Sequence, residues 1–177
     1  MHDSRTRIRD LERAASHDGM TGLLNRKGAE RLIAERLADP GREYAMAILD
    51  LDYFKQANDT YGHMFGDEVL VHVSGLLRRS MRGTDLAARA GGDEFIALVR
   101  YDGDDIRAVI ARVFEALSGR YKDFDISVSM GVSTTQATGR DYADLFRTAD
   151  LALYAAKRSG RGQYRFYDPS MEQAPPD

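Results

Sequence analysis

Residues 86–90 and 94–100 are two strand-length runs joined through Gly91-Gly92, and they sit in the middle of a chain that otherwise alternates helical and strand-like patterns. Two glycines between strands suit a tight hairpin, because both central residues of a type I′ turn need positive φ. An antiparallel pair embedded among helices points to an α+β or mixed α/β fold, a mostly antiparallel central sheet with helices packed on its faces, close to the split βαβ pattern.

The flanking segments agree. Tyr44 to Leu49 is a short apolar run that stops abruptly at Asp50. Ala29, Leu32, Ile33, Arg36 and Leu37 stripe a helix ended by Asp39-Pro40-Gly41, and Val69, Leu70, Val73, Leu76 and Leu77 mark a second helix. Beyond the hairpin, Ile106, Val109, Ile110, Val113, Phe114 and Leu117 give the cleanest amphipathic helix. Residues 126–132 alternate like a strand, Tyr142, Leu145, Phe146, Ala149, Leu153 and Ala156 stripe a last helix, and residues 164–167 form a terminal strand. Residues 4–17 read as a helix with Ile8, Leu11 and Ala15 at a, d and a of a heptad frame. That spans barely two heptads, so a helix docked on its own domain and the end of a dimeric signalling coiled coil both stand. The boundaries expected are 1–17 for this helical stub, 18–168 for the domain, and 169–177, with Pro175-Pro176, for a disordered tail.

Composition narrows the function. At 177 residues the chain holds one sizeable core, and its lack of cysteine excludes disulfides, thiolate metal sites and cysteine nucleophiles. The net charge of −3 offers no basic excess for nucleic acid, so an anionic ligand has to be met by a local cluster. Residues 151–167 supply one, with four Lys or Arg and no acid. No apolar run approaches the roughly 20 residues that span a bilayer, which gives the expectation of a soluble, cytoplasmic chain without direct membrane insertion.

Two acidic elements carry the chemistry. Asp50 lies where the apolar strand ends and Asp52 follows two residues later, a placement suited to a hard cation, though a solvated pair of loop acids has the same appearance. Asp93 and Glu94 follow the hairpin glycines, where backbone can approach a ligand closely. If the hairpin pairs beside the Asp50 strand, Asp50, Asp93 and Glu94 converge on one edge and repel one another unless cations intervene. His2, His17 and His72 have no metal-ligand spacing, and Met46, Met64, Met81 and Met130 read as core filler.

Residues 89–95, Arg-Ala-Gly-Gly-Asp-Glu-Phe, resemble the signature loop of the GGDEF family of diguanylate cyclases, and other segments are similar to that family in its own order. These are Asp18 to Arg26, with Met20 where leucine is usual; Asp50 to His63 followed by Gly66-Asp67; Ser127 to Ser133; and Ala149 to Lys157 followed by Gly160-Arg161. The likeness covers about residues 14–168. It implies a nucleotidyl cyclase palm, ferredoxin-like in topology, and a reaction in which two GTP form cyclic di-GMP. It further implies that Asp50, the Leu51 carbonyl, Asp93 and Glu94 bind two magnesium ions, or manganese, with Asp93, Glu94 and Lys55 as the catalytic set. Asn58 and Asp67 would hold the guanine edge with His63 nearby, and Lys55, Lys157, Arg161 and backbone around Phe54 would hold the triphosphate beside Gly91 and Gly92. Arg82 and Asp85 match the family's RxxD inhibitory site for the product, for which a plain surface ion pair is the alternative. One domain holds one GTP in the family, so the resemblance implies a homodimer, and an upstream sensor domain fits the helical stub. Gly162 stands where the family often has asparagine and Ala90 where an aromatic is common. A degenerate module that only binds GTP or cyclic di-GMP would be expected to have lost signature acids or Lys157, and a mixed adenine-guanine cyclase fits poorly with the anionic acceptor Asp67.

Overall fold

The strand Tyr44–Leu51 is buried along nearly its whole length and is paired on both flanks, which explains why its sequence is continuously apolar instead of alternating. The computed structural model describes residues 2–103 and 105–173. In chain order it contains α1 (His2–Ser16), α2 (Arg26–Leu37), β1 (Tyr44–Leu51), α3 (Phe54–Tyr61), α4 (His63–Ser80), β2 (Leu86–Gly91), β3 (Glu94–Arg100), α5 (Ile106–Ala116), β4 (Gly119–Tyr121), β5 (Phe124–Ile126), β6 (Val128–Thr134), α6 (Thr135–Thr138), α7 (Tyr142–Arg158) and β7 (Tyr164–Phe166). The main sheet runs β2-β3-β1-β6-β7, antiparallel except for the β6–β7 pair, and β4 and β5 form a separate hairpin.

The two faces of β1 feed two cores. Ala45, Ala47, Leu49 and Leu51 pack with Val69, Val73 and Leu77 of α4 and with Ile110 and Val113 of α5. Tyr44, Met46 and Ile48 pack with Ala29 and Ile33 of α2 and with Leu145, Ala149 and Leu153 of α7. This is the period-two alternation of a strand read on both sides. Helix starts follow local chemistry: Asn25 accepts from the Gly28 amide to open α2, and Asp105 and Asp141 do the same for α5 and α7.

The expected α+β sheet is present, and several details differ from the sequence reading. Gly92 and Asp93 are the central residues of the hairpin turn, because Gly91 already pairs with Glu94. Only Gly92 of those two has positive φ, at 50°, which rules out the expected type I′ turn; Gly91, at 148°, sits beside the irregularity in β2. The strand expected over 126–132 breaks at Ser127 into β5 and β6. Three elements went unread: α3, which buries only Ala57, the mostly exposed β4, and the four-residue α6. Met46 and Met130 are core residues as expected, whereas Met64 is 82% exposed near the start of α4. Residues 169–173, assigned to a disordered tail, form a 3-10 turn in which Glu172 accepts from Tyr167 and Arg147; the rest of that tail lies outside the described residues. Among the described residues no helix is long and apolar enough to cross a membrane.

Helix α7 lies almost directly on β6. A Cβ at Gly131 would stand 2.1 Å from both the Ala149 carbonyl oxygen and the Leu153 amide nitrogen, atoms of a helix backbone that cannot yield without moving as a whole. Gly131→Ala is therefore expected to destabilise the fold by about 3 kcal/mol, the upper end of overpacking costs, as read by urea unfolding; an unchanged midpoint would show that α7 does not depend on this close approach.

Candidate active site

The double pairing of β1 sets the site. Asp50 is level with Glu94 on one side and Ser129 on the other, and the Leu51 amide donates to the Asp93 carbonyl at 3.4 Å. The signature turn is thus held against the end of β1. Its other restraint is Arg89, whose Nε donates to the Gly92 carbonyl at 2.9 Å while a terminal nitrogen meets Asp18 at 3.3 Å. Burial opposes ionisation of Asp18, but the Thr21 hydroxyl and amide together with Arg89 outweigh it and hold the carboxyl below its usual range.

The final turn of α7 brings Lys157, which donates to Asp50 Oδ2, while Asp50 Oδ1 is buried without a hydrogen-bond partner. Asp93 and Glu94 are both pushed above the ordinary carboxylate range, first by burial and then by the charge of Asp50, with Lys157 acting in the opposite direction on each. Asp150, two helical turns before Lys157 on α7, is raised for the same reasons and also bears on Glu94. It was not singled out from the sequence, although its seven-residue spacing from Lys157 places both on one helix face.

Asp50, Leu51, Phe54, Lys55, Asp93, Lys157 and Arg161 line a single recess of about 200 Å³ together with Tyr53 and Gln56. Helix α3 opens at this recess without a side-chain cap, so its first-turn amides are left for a ligand to meet. Tyr53, just before α3, and Arg161, just after α7, both adopt left-handed backbone at φ 61° and 63°, and the Arg161 guanidinium lies over the Tyr53 ring at 5.8 Å. Such strained non-glycine residues persist where their surroundings over-determine them.

Other expected residues stand apart from that recess. Asn58 Oδ1 is buried without a hydrogen-bond partner and packs so closely on Gly66 that a Cβ there would come within 1.8 Å of it. Asp67, the next residue, lines a cleft of about 430 Å³ with Glu68, Val71, His72 and Tyr121, and His63 is exposed at the start of α4. Gly91 and Gly92 shape the turn and do not line the recess, nor does Glu94.

The two acids of the Asp50-Leu51-Asp52 stretch have different fates. Asp52 is 1% exposed and turned away from the recess, its carboxylate accepting from the Ser127 and Ser129 hydroxyls at 2.6 Å each and from the Gly162 amide at 3.0 Å. Sequence spacing could not separate it from Asp50. What fits a metal is therefore the Asp50 carboxylate with its orphaned oxygen, the neighbouring Leu51 carbonyl and Asp93, all oxygen donors. Among the described residues no three acidic or histidine side chains form a ready-made cage. Such oxygen donors fit magnesium, which takes one or two carboxylates and completes its shell with phosphate and water.

The Arg82–Asp85 pair lies on a second recess, of about 480 Å³, which also includes Arg78 and His17. Asp85 has no exposed side-chain surface: Oδ2 accepts from the Arg82 amide at 2.8 Å and from its Nε at 3.4 Å, and Oδ1 accepts from the Arg100 amide at 3.1 Å. Asp85 thus anchors its own turn, and Arg82 is the member of the pair that reaches the surface.

The family model for the diguanylate cyclase GGDEF domain matches residues 15–163. Among curated relatives, an uncharacterized signaling protein of Caulobacter vibrioides is 41% identical over 89% of this chain and 21% of its own length, and the diguanylate cyclase DgcP of Pseudomonas aeruginosa is 36% identical over 87% and 24%. The chain thus spans a fifth to a quarter of the length of these relatives. The solved coiled coil and GGDEF domain of DgcB from Caulobacter crescentus, in complex with c-di-GMP, superposes with a TM-score of 0.83 at 28% identity, covering 93% of this chain and 92% of that one.

Raised carboxylates have a sign that can be tested. Unfolded, Glu94 ionises at its ordinary value; folded, it keeps its proton to higher pH, so the native state binds more protons across that interval and loses stability as pH rises through it. Glu94→Gln removes the group. Without divalent ions, the variant should melt above the wild type at neutral pH, and the gain should disappear below the ordinary glutamate range. Parallel melting profiles across pH would refute this.

Proposed function

The chain belongs to the GGDEF family, and from that premise we propose that it is a diguanylate cyclase, joining two GTP molecules into cyclic di-GMP with release of two pyrophosphates. The observation that carries the reading is the single recess in which the metal-type donors Asp50, Leu51 and Asp93 meet the cations Lys55, Lys157 and Arg161. Acids for a divalent ion beside bases for phosphate, on a chain of net negative charge, are what a nucleoside triphosphate and its metal require.

Magnesium or manganese, as two ions held by Asp50, the Leu51 carbonyl, Asp93 and Glu94, would supply Lewis-acid stabilisation of charge on the attacking and leaving oxygens. The chain's own residues do the rest. Lys55, Lys157 and Arg161 offset the triphosphate, and the uncapped first turn of α3 around Phe54 offers amide donors. Asp93, on the turn held against the end of β1, accepts the proton of the 3′-hydroxyl that attacks the α-phosphorus. Glu94 supports it from the adjoining strand position. Asn58, with an acceptor left over on buried Oδ1, and Asp67 select guanine through its N1 and N2 hydrogens, with His63 at the rim. Adenine presents no such donor pair.

Each 3′-oxygen attacks the other nucleotide, so two copies face each other, and the exposed Ile8 and Leu11 of α1 suit a pairing helix that an upstream sensor could control. Product restraint at Arg82 and Asp85 completes the proposal, Arg82 gripping the nucleotide and Asp85 bracing the turn beneath it. A cytoplasmic location follows from the substrate.

Purified protein incubated with GTP and magnesium should yield cyclic di-GMP on chromatography, and Asp93→Ala should lower the rate by at least about a thousandfold while the protein stays folded; sustained synthesis by the variant would overturn the site. Arg82→Ala should keep the initial rate and escape the slowing that accumulating product imposes, so inhibition of unchanged strength would remove Arg82 from that role.

A further inference from the structure

Asp52 is a buried carboxylate that contacts neither recess, and a buried charge is retained only where its partners repay the loss of water. Its partners come from two distant segments. Ser127 is the break between β5 and β6 and Ser129 lies in β6, while Gly162 belongs to the turn between α7 and β7. The Gly162 amide is shared between Asp52 Oδ2 at 3.0 Å and Ser129 Oγ at 3.2 Å, so the turn is docked onto β6 here, next to the Gln163 carbonyl that accepts from the Met130 amide at 3.0 Å. Immediately before that point stands Arg161, left-handed at φ 63°, its amide bonded back to Ala156 at 3.1 Å and its guanidinium 3.9 Å from Asp52 Oδ1. Immediately after Asp52 stands Tyr53, also left-handed, whose ring lies beneath that guanidinium.

We propose that Asp52 is a positioning residue for the triphosphate. By holding Gly162 it keeps Arg161 in its strained conformation, and so fixes the guanidinium over Tyr53 along the recess that Lys55 and Lys157 share. The inference rests on the functional reading above and adds a residue to it that touches no substrate. A left-handed arginine released from this restraint relaxes toward the ordinary helical or extended regions, which swings its side chain off the Tyr53 ring. The effect falls on binding of the phosphate tail, because Asp50 and Asp93 are held by β1 and β3 and do not depend on the 159–163 turn.

Asp52→Asn keeps the shape and removes the charge and one acceptor. GTP binding is measured by titration calorimetry with calcium as the divalent ion, for the wild type, Asp52→Asn, Arg161→Ala and the double variant. The expected result is a loss of affinity of about fivefold or more for Asp52→Asn, falling to less than about twofold when the same change is made in the Arg161→Ala background. Unaltered affinity in Asp52→Asn, or the full loss repeated without Arg161, would overturn the proposal, since a merely structural defect adds to the loss of Arg161. Should Asp52→Asn fail to fold, Ser127→Ala combined with Ser129→Ala takes its place with the same two outcomes. Wild-type protein that takes up no GTP would sink the functional reading, and this inference with it.

Discussion

The site depends on hydrogen bonding along both flanks of β1. A strand paired on one side only could shift its register against the hairpin or against β6, and a slip of one residue would carry Asp50 to the opposite face. Pairing with β3 and β6 together leaves one register, in which Asp50, Glu94 and Ser129 stand abreast. The apolar side chains of β1 enforce it from both faces, because each slip would also expose Met46 and Ile48, or Ala47 and Leu49, to the wrong core. Stability and chemistry are thus fixed by the same contacts.

The strand ends in an electrostatic conflict. Burial and the charge of Asp50 raise the proton affinity of Asp93, Glu94 and Asp150, Asp150 adds to the effect on Glu94, and Lys157 opposes it in each of the three. A protein selected for stability alone would replace at least one of these acids with a neutral side chain. Retaining all of them stores a demand for positive charge at the place where a cation-bound nucleotide would satisfy it.

Much of this was legible in the residues for physical reasons. The 44–49 run was readable because a strand buried on both faces needs no polar alternation, and the hairpin because glycine marks a turn. Helix α3 was not: it buries Ala57 alone and begins at a left-handed tyrosine, which no capping rule signals. The β4–β5 hairpin escaped because Tyr121 and Phe124 pack on Phe65 at the edge and not in a periodic stripe. At the site, family resemblance named residues that the recess does bring together, from Asp50 to Arg161. What no pattern could supply was orientation. Asp50 and Asp52 are two residues apart and chemically identical, yet one faces the recess and the other is sealed beneath the 159–163 turn. Asp85 likewise looks like a ligand-binding acid in sequence, while in three dimensions its oxygens are engaged by backbone amides.

Arg89 spans the distance from the Asp18 carboxylate, just beyond α1, to the carbonyl of Gly92. It therefore behaves as a strut with one foot on the segment that follows α1 and the other on the glycine that shapes the acidic turn. A twist applied to α1 would reach Asp93 through a lever one side chain long, with no need to deform the sheet between them.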